Sequence, residues 1–417
     1  MAKNRSKIAQ KLLKALRIFA YFILFIFISL NLFVILSGRT YLYKGIANTY
    51  LKGKTGPGIY DLDIFAHSTI PKAKETFEWK KSGKTLNLSK EDLDYMEKFE
   101  TSSYLVIKND EIIFEKYWGD HNKETVSNSF SAAKTLVALL IGIAIDEGKI
   151  KSLDDLVQDY LPEFKKDGKE IITIRDLLLM ASGLDWQESG KNPLSENAES
   201  YYGTDLYHLA TNQKRITQPH QLFKYQSGNS QLLGFVVEKA TGMSLSEYMY
   251  EKIWSQIGAS HDAYWSLDEV GGDEKSFCCF YATTQDFARI GRLIENFGNW
   301  DGKQLISKAY MEEMIKPATY LKTEDGIPNY IYGLHIWSYV GGKYPVAYCR
   351  GILGQYIVSI PEEKLIIVRT GSKRAPHYKM TKNQLANSAF FEKNKYKIGH
   401  PTDIFKYISI AEKMINQ

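Results

Sequence analysis

The chain reads as an α+β protein: an antiparallel sheet flanked by helices, with an all-helical subdomain inserted between its strands and one transmembrane helix in front. Three observations predict this. Strand-like runs stand at both ends of the main body, "SYLVIKND" and "EIIFEKYW" early, "QYIVSIP" and "KLIIVRTG" late. Between them the patterns are mainly helical, and strands at both ends with helices between argue for one α+β unit. Ahead of all of it, residues 18–37, "IFAYFILFIFISLNLFVILS", carry no charge.

Taken in order, residues 1–17 form a basic tail holding Lys3, Arg5, Lys7, Lys11, Lys14 and Arg17. The twenty apolar residues that follow span roughly 30 Å as a helix, the thickness of a bilayer core. The basic tail is expected to stay in the cytoplasm, which puts the C-terminal bulk outside. A cleaved signal peptide is the alternative. The apolar stretch is longer than a usual signal core and no A-x-A site follows, which favours an uncleaved anchor. No Cys follows closely, so a lipoprotein anchor is not supported.

Residues 38–95, with Gly-Pro-Gly at 56–58, read as an extended arm leading onto the first strands. The main domain is then 96–417. Its first strands form a hairpin around Asn109-Asp110. The segment 131–147 is apolar on nearly every side, as a centrally buried helix is, and stops at Gly148. The helical subdomain covers roughly 150–290. In it "ITIRDLLLMASG" has Thr173 as N-cap and Gly183 as stop, "NSQLLGFVVEKATG" ends at Gly242, and "TTQDFARIGRLIENFG" carries Asp286 in its first turn. The late strands pair around Pro361-Glu-Glu, and "DIFKYISIAEKMINQ" closes the chain as a helix.

Composition bounds the function. With 417 residues, 44% hydrophobic and 24% charged, the chain can build a large core. The net charge of +5 resides in the tail; the rest is about −1, which gives no case for nucleic-acid binding. Cys278, Cys279 and Cys349 are the three cysteines. Adjacent cysteines rarely bridge each other, and an odd count leaves at least one thiol unpaired. Such sparse usage fits a bacterial envelope protein whose core needs no disulfide staple. The eight His are scattered without H-x-x-x-H spacing, so neither metal nor cofactor is expected. No G-x-S-x-G elbow occurs, and the α/β-hydrolase route is unsupported.

Chemistry concentrates at "SNSFSAAK", where Ser131 and Lys134 stand at the mouth of the greasy helix. Residues three apart on a helix share a face. The helix N-terminus offers free N–H groups to a developing oxyanion. The apolar helix body desolvates an ammonium and lowers its pKa, making a base. Nucleophile, base and half an oxyanion hole thus lie within one turn. The plain alternative is a polar cap with a surface Lys, since S-x-x-K alone is a weak signal. It occurs once in this chain, at the start of its most buried-looking helix.

Five blocks in sequence lift that reading. "SFSAAKTLVALLIGIAIDEGKIKSLDDLVQDYLPEF", "ITIRDLLLMASGLDW", "FKYQSGNSQLLGFVVEKATG", "YATTQDFARIGRLIENFGNWDGKQLIS" and "RGILGQYIVSIPEEKLIIVRTG" resemble the serine β-lactamase, penicillin-binding protein and esterase family, especially its class C-like branch. The resemblance covers roughly 96–390 and implies a β-lactamase/transpeptidase-like fold. It implies Ser131 as acyl-accepting nucleophile and Lys134 as its proton partner. Tyr225 becomes a second acid/base that protonates the leaving group, with Lys134 as the cation that tunes it. Gly351 would let substrate approach the edge strand, and the Ile352 N–H would complete the oxyanion hole with that of Ser131.

Two departures narrow the reading. Ser227 stands where class C β-lactamases have Asn, and Cys349-Arg350-Gly351 stands where they have Lys-Thr-Gly. Arg350 is the available substitute for the Lys that engages a β-lactam carboxylate. Both departures resemble the branch of 6-aminohexanoate-dimer hydrolases and esterases. Trp186, Tyr201 and Tyr202 are further candidates for the cleft, against packing roles usual for aromatics, and Cys349 reads as a small buried hydrophobe. The expected protein is a hydrolase of a small amide or ester, held in the bacterial cytoplasmic membrane with its catalytic domain in the periplasm or outside. A β-lactamase or D-Ala-D-Ala peptidase of the same fold, and a catalytically weak penicillin-binding or sensor module, remain as alternatives. Oligomeric state is not readable from the sequence.

Overall fold

The computed structural model describes residues 2–84 and 86–416; Met1, Thr85 and Gln417, and the side chains of residues 2–6 (with Lys3 and Arg5 of the basic tail), lie outside the description. One unbroken helix, Ala2–Leu36, joins the basic tail to the apolar segment. From Lys7 to Leu36 it is long and apolar enough to cross a membrane, and it is almost wholly exposed. Gly38, at φ +72°, ends it.

The sheet has seven strands. In spatial order they are Trp337–Tyr339, Val346–Gly351, Gln355–Ile360, Leu365–Gly371, Thr101–Lys108, Glu111–Tyr117 and Lys80–Lys81. All neighbours are antiparallel except the last pair. Asn109 and Asp110 both take positive φ, +52° and +62°, as a tight primed hairpin turn requires.

Both faces are covered, so the central strands carry apolar residues on either side. Ile357, Ser359, Ile366 and Val368 share one face by register. There the Thr284–Glu295 helix lies so close that a Cβ on Gly291 would stand 2.7 Å from Ile366, and Ser359 Oγ donates to the Gly291 carbonyl at 2.7 Å. Tyr356, Arg369 and Tyr104 line the other face. Tyr356 bonds Asp403 at 2.9 Å and Tyr104 bonds the Tyr407 carbonyl at 2.7 Å, both on the closing helix Thr402–Ile415. The Ala133–Asp146 helix is buried from Ala133 to Ala144 and packs beside Ser227–Thr241.

Three expectations need correction. The segment after the apolar helix is not an extended arm: Tyr41–Asn48 is helical, and His67–Ile70 pairs with Ala263–Ser266 in a second, four-stranded sheet. Tyr41, Gly45 and Thr49, four apart, supply the helical periodicity. The helix after Thr173 stops at Leu178, well short of Gly183. Met180 turns to φ +57° and its carbonyl accepts from Lys224, a tertiary pairing that overrides local helix preference. Finally, Cys278 and Cys279 are joined in a disulfide. The tight turn there, with Cys278 N–H on the Lys275 carbonyl and Cys279 at φ +67°, sets the two side chains together.

Candidate active site

Ser131 sits in the single turn Phe130–Ala132 that leads into Ala133–Asp146. Phe130, just before it, has φ +46°, a left-handed conformation unfavourable for a bulky residue. The surrounding bonds impose it: Phe130 N–H donates to Asn128 Oδ1 at 2.8 Å, and Asn128 is itself held by Tyr281. Strained backbone of this kind costs about 1–3 kcal/mol and persists where the surroundings over-determine it.

Lys134 lies one turn on, 1% exposed. Its Nζ donates to Ser131 Oγ at 3.3 Å, to Ser227 Oγ at 3.0 Å and to the Phe277 carbonyl at 2.6 Å. Burial lowers its pKa to about 8, a fall that the Glu188 carboxylate limits. A neutral amine has two N–H donors and a lone pair. The longest of the three contacts is the one to Ser131.

Tyr225 is half-buried beside this pair, its ring centroid 5.2 Å from Lys134 Nζ and 5.5 Å from the Trp337 ring. Burial, and then Glu188, push the phenol pKa up; the Ser131 hydroxyl and Arg350 pull back without reversing it. The expected tuning of Tyr225 by Lys134 toward neutral pH is thus overturned: desolvation wins, and the phenol keeps its proton.

Glu188 was not found by sequence reasoning. Its carboxylate accepts from the Ser227 hydroxyl and the Ser227 N–H, each at 2.7 Å, and from Trp186 Nε1 at 3.0 Å. Ser227 opens the Ser227–Thr241 helix, so Glu188 caps a helix N-terminus, where unpaired N–H groups and the dipole favour an anion. One acidic residue in a Gly- and Ser-containing loop has no spacing signature. Its position two residues after Trp186 was the one available hint.

The strand Val346–Gly351, expected at the sheet edge but flanked there by Trp337–Tyr339, meets the same turn. A Cβ on Gly351 would stand 2.1 Å from the Ser129 carbonyl oxygen, so a side chain there would force the strand off. Ile352 follows in the short turn Ile352–Gly354. Ser131, Ser227, Glu188 and Ile352 line one cleft of about 270 Å³. A larger depression, about 530 Å³, is lined by other residues, among them Tyr339, Phe405 and Ile415.

Two site candidates are placed elsewhere. Arg350 does not line the cleft: its guanidinium stacks 3.1 Å from the Trp337 ring centroid and donates to the Gly399 carbonyl. Trp186 is buried at 1% exposure, pressed on Gly228 where a Cβ would be 2.4 Å from the indole, and reaches the site through Glu188. Tyr201 and Tyr202 do line the cleft, and Cys349 is a buried free thiol. Among the described residues no group of three His, Cys, Asp or Glu gathers to hold a metal ion.

Comparison with known proteins supports the resemblance. Residues 93–389 match the β-lactamase family. A 6-aminohexanoate-dimer hydrolase from Paenarthrobacter ureafaciens is 25% identical over 293 residues, covering 65% of this chain and 72% of its own. A teichoic acid D-alanine hydrolase from Staphylococcus aureus is 31% identical over 199 residues, 45% of either chain. Among solved structures, a candidate 6-aminohexanoate-dimer hydrolase from Bacillus anthracis superposes with TM-score 0.69 at 20% identity, over 86% of this chain and 92% of that one. A family VIII carboxylesterase does so with TM-score 0.57 at 17% identity, over 78% and 96%. The fold is β-lactamase/transpeptidase-like, and the chain belongs to the β-lactamase family.

Proposed function

We propose that this is a membrane-anchored serine hydrolase that cleaves an amide or ester through an acyl-enzyme on Ser131, with the catalytic domain on the outer side of the bacterial cytoplasmic membrane. The observation that carries the reading is the buried Lys134 amine, 3.3 Å from Ser131 Oγ, with its pKa lowered to about 8. A base titrating near the working pH is what general-base catalysis requires.

Ser131 Oγ attacks the substrate carbonyl carbon as its proton passes to neutral Lys134. The carbonyl oxygen becomes an oxyanion held by the N–H groups of Ser131 and Ile352. The still-protonated Tyr225 then gives its proton to the departing nitrogen or oxygen as the C–N or C–O bond breaks, and Lys134 returns a proton to Tyr225. Water repeats the sequence on the acyl-enzyme: it loses a proton to the same pair, attacks the ester carbon, and releases the acid as Ser131 regains its hydrogen. Ser227, held by Glu188, fixes the direction of the Lys134 amine.

Arg350 turned onto Trp337 leaves no cation in the cleft at the strand position where a β-lactam carboxylate would dock, which favours simple amides or esters over β-lactams. The test is labelling of the full-length chain by a fluorophosphonate probe, with hydrolysis of p-nitrophenyl esters and a chromogenic cephalosporin measured alongside. Labelling and ester turnover that vanish in Ser131→Ala are expected. Equal labelling of that variant would overturn the nucleophile assignment, and rapid cephalosporin turnover would overturn the preference against β-lactams.

A further inference from the structure

We propose that the segment leading out of the anchor helix forms the acyl-chain wall of the Ser131 cleft, so that the enzyme takes its ester or amide from an amphiphile seated in the same membrane. This rests on the serine-hydrolase reading above and adds its substrate class.

The same cleft that holds Ser131 is lined by Tyr41, Leu42, Ile46 and Tyr50 of the segment that follows the anchor. That segment is built into the domain. Tyr41 Oη donates to the Pro193 carbonyl at 3.0 Å, and the Asn128 N–H, three residues before Ser131, donates to the Ile59 carbonyl at 2.8 Å. It is also tied to the anchor: Tyr43 Oη donates to Asn31 Oδ1 at 2.7 Å. Asn31 lies about 8 Å below the end of the helix at Leu36, by helical rise. The cleft wall therefore stands level with the outer end of the membrane-spanning segment.

Its chemistry suits that position. Tyr50 is 70% exposed and Leu51 77%, with Ile46 and Tyr43 also exposed. Exposed Tyr and aliphatic side chains beside Lys44, Lys52 and Lys54 are the composition of a membrane–water interface. The same cleft is also lined by the polar residues Glu188, Ser189, Lys191 and Asn192. Apolar and polar stretches in one cleft match an amphiphile, its chain along Leu42 and Ile46 and its scissile carbonyl at Ser131. The cleft is about 270 Å³, slightly below the roughly 300 Å³ where pockets for whole drug-sized ligands begin. It encloses an acyl segment and leaves the rest of the molecule outside.

The experiment uses the full chain in vesicles of phosphatidylglycerol and phosphatidylethanolamine, with p-nitrophenyl acetate and p-nitrophenyl octanoate as probes. Each methylene buried against the wall strengthens binding, so kcat/KM for the octanoate should exceed that for the acetate by tenfold or more. Leu42→Asn and Ile46→Asn should each cut that ratio at least fivefold, whereas Val270→Asn, on a fully exposed side chain, should keep it. A variant that merely unfolds lowers both rates and leaves the ratio unchanged. A phospholipid carrying a fluorogenic acyl ester should be cleaved in vesicles that also hold the enzyme, and at least tenfold more slowly when enzyme and lipid start in separate vesicles. A ratio unmoved in Leu42→Asn and Ile46→Asn proteins that keep the wild-type acetate rate, or equal cleavage in the two vesicle arrangements, overturns the inference and leaves the Ser131 chemistry standing. Absence of any Ser131-dependent turnover of the acetate removes the proposed function itself, and this inference with it.

Discussion

The Glu188 carboxylate holds Ser227 at two points, hydroxyl and N–H, each at 2.7 Å. Because Ser227 Oγ spends its hydrogen on Glu188, it meets Lys134 as an acceptor. Glu188 therefore acts on Lys134 in two ways, through Ser227 and through its charge.

Replacing Glu188 by Gln keeps the shape and removes the charge. Glu188 raises the Lys134 pKa against the effect of burial, so its removal lowers that pKa further below 8. The acidic limb of the kcat/KM–pH profile in Glu188→Gln should move to lower pH. Its plateau should fall several-fold, because the two Ser227 donors meet different carboxylate oxygens and the amide NH2 that replaces one of them cannot accept. An acidic limb that stays in place would remove Glu188 from the electrostatics of the site.

The wild-type profile has a definite shape. With a pKa of about 8, Lys134 is roughly one-tenth neutral at pH 7, against well under a thousandth for an ordinary Lys near 10.4. If neutral Lys134 is the base, as proposed, ester hydrolysis should rise about tenfold per pH unit below 8 and level off above it. Lys134→Arg keeps a cation that does not deprotonate and should lose about 10²–10⁴-fold in kcat. Stopped-flow acylation across pH 6–10 measures both.

Much of this was legible in the sequence because it is local. The hairpin at Asn109-Asp110, the Gly242 stop and the apolar 131–147 run each depend on residues adjacent in the chain, and each appears where its pattern puts it. Ser131 and Lys134 are one turn apart, so their meeting follows from helix geometry. What stayed hidden depends on contacts distant in sequence. Glu188 reaches Ser227 across 39 residues, Arg350 is drawn away by Trp337 and Gly399, and the arm joins the cleft through Pro193. Periodicity carries no information about which loop closes on which helix.

The cysteine assignment is directly countable. Cys278 and Cys279 are bonded and Cys349 is a buried free thiol. Denatured but unreduced chain should titrate one thiol with Ellman's reagent, and three after reduction. Three without reduction would refute the bond. Because Phe277, whose carbonyl accepts from Lys134, is next in the chain, reduction of the folded protein should also lower kcat/KM several-fold.

Gly351 sets how closely its strand, Val346–Gly351, approaches the turn that carries Ser131. The added Cβ of Gly351→Ala would stand 2.1 Å from the Ser129 carbonyl oxygen, a backbone atom that no rotamer change can move aside. The strand end, Ile352 with it, has to retreat from Ser131. Overpacking of this kind costs about 1–3 kcal/mol of stability, read as a lowered urea midpoint. If the Ile352 N–H helps to hold the oxyanion, its displacement removes one donor from the transition state, worth about 10²–10³ in kcat. The fluorophosphonate reaction of Ser131 should slow with it, since phosphonylation also places an oxygen in that hole. A Gly351→Ala protein that loses stability yet keeps wild-type kcat would take Ile352 out of the oxyanion hole.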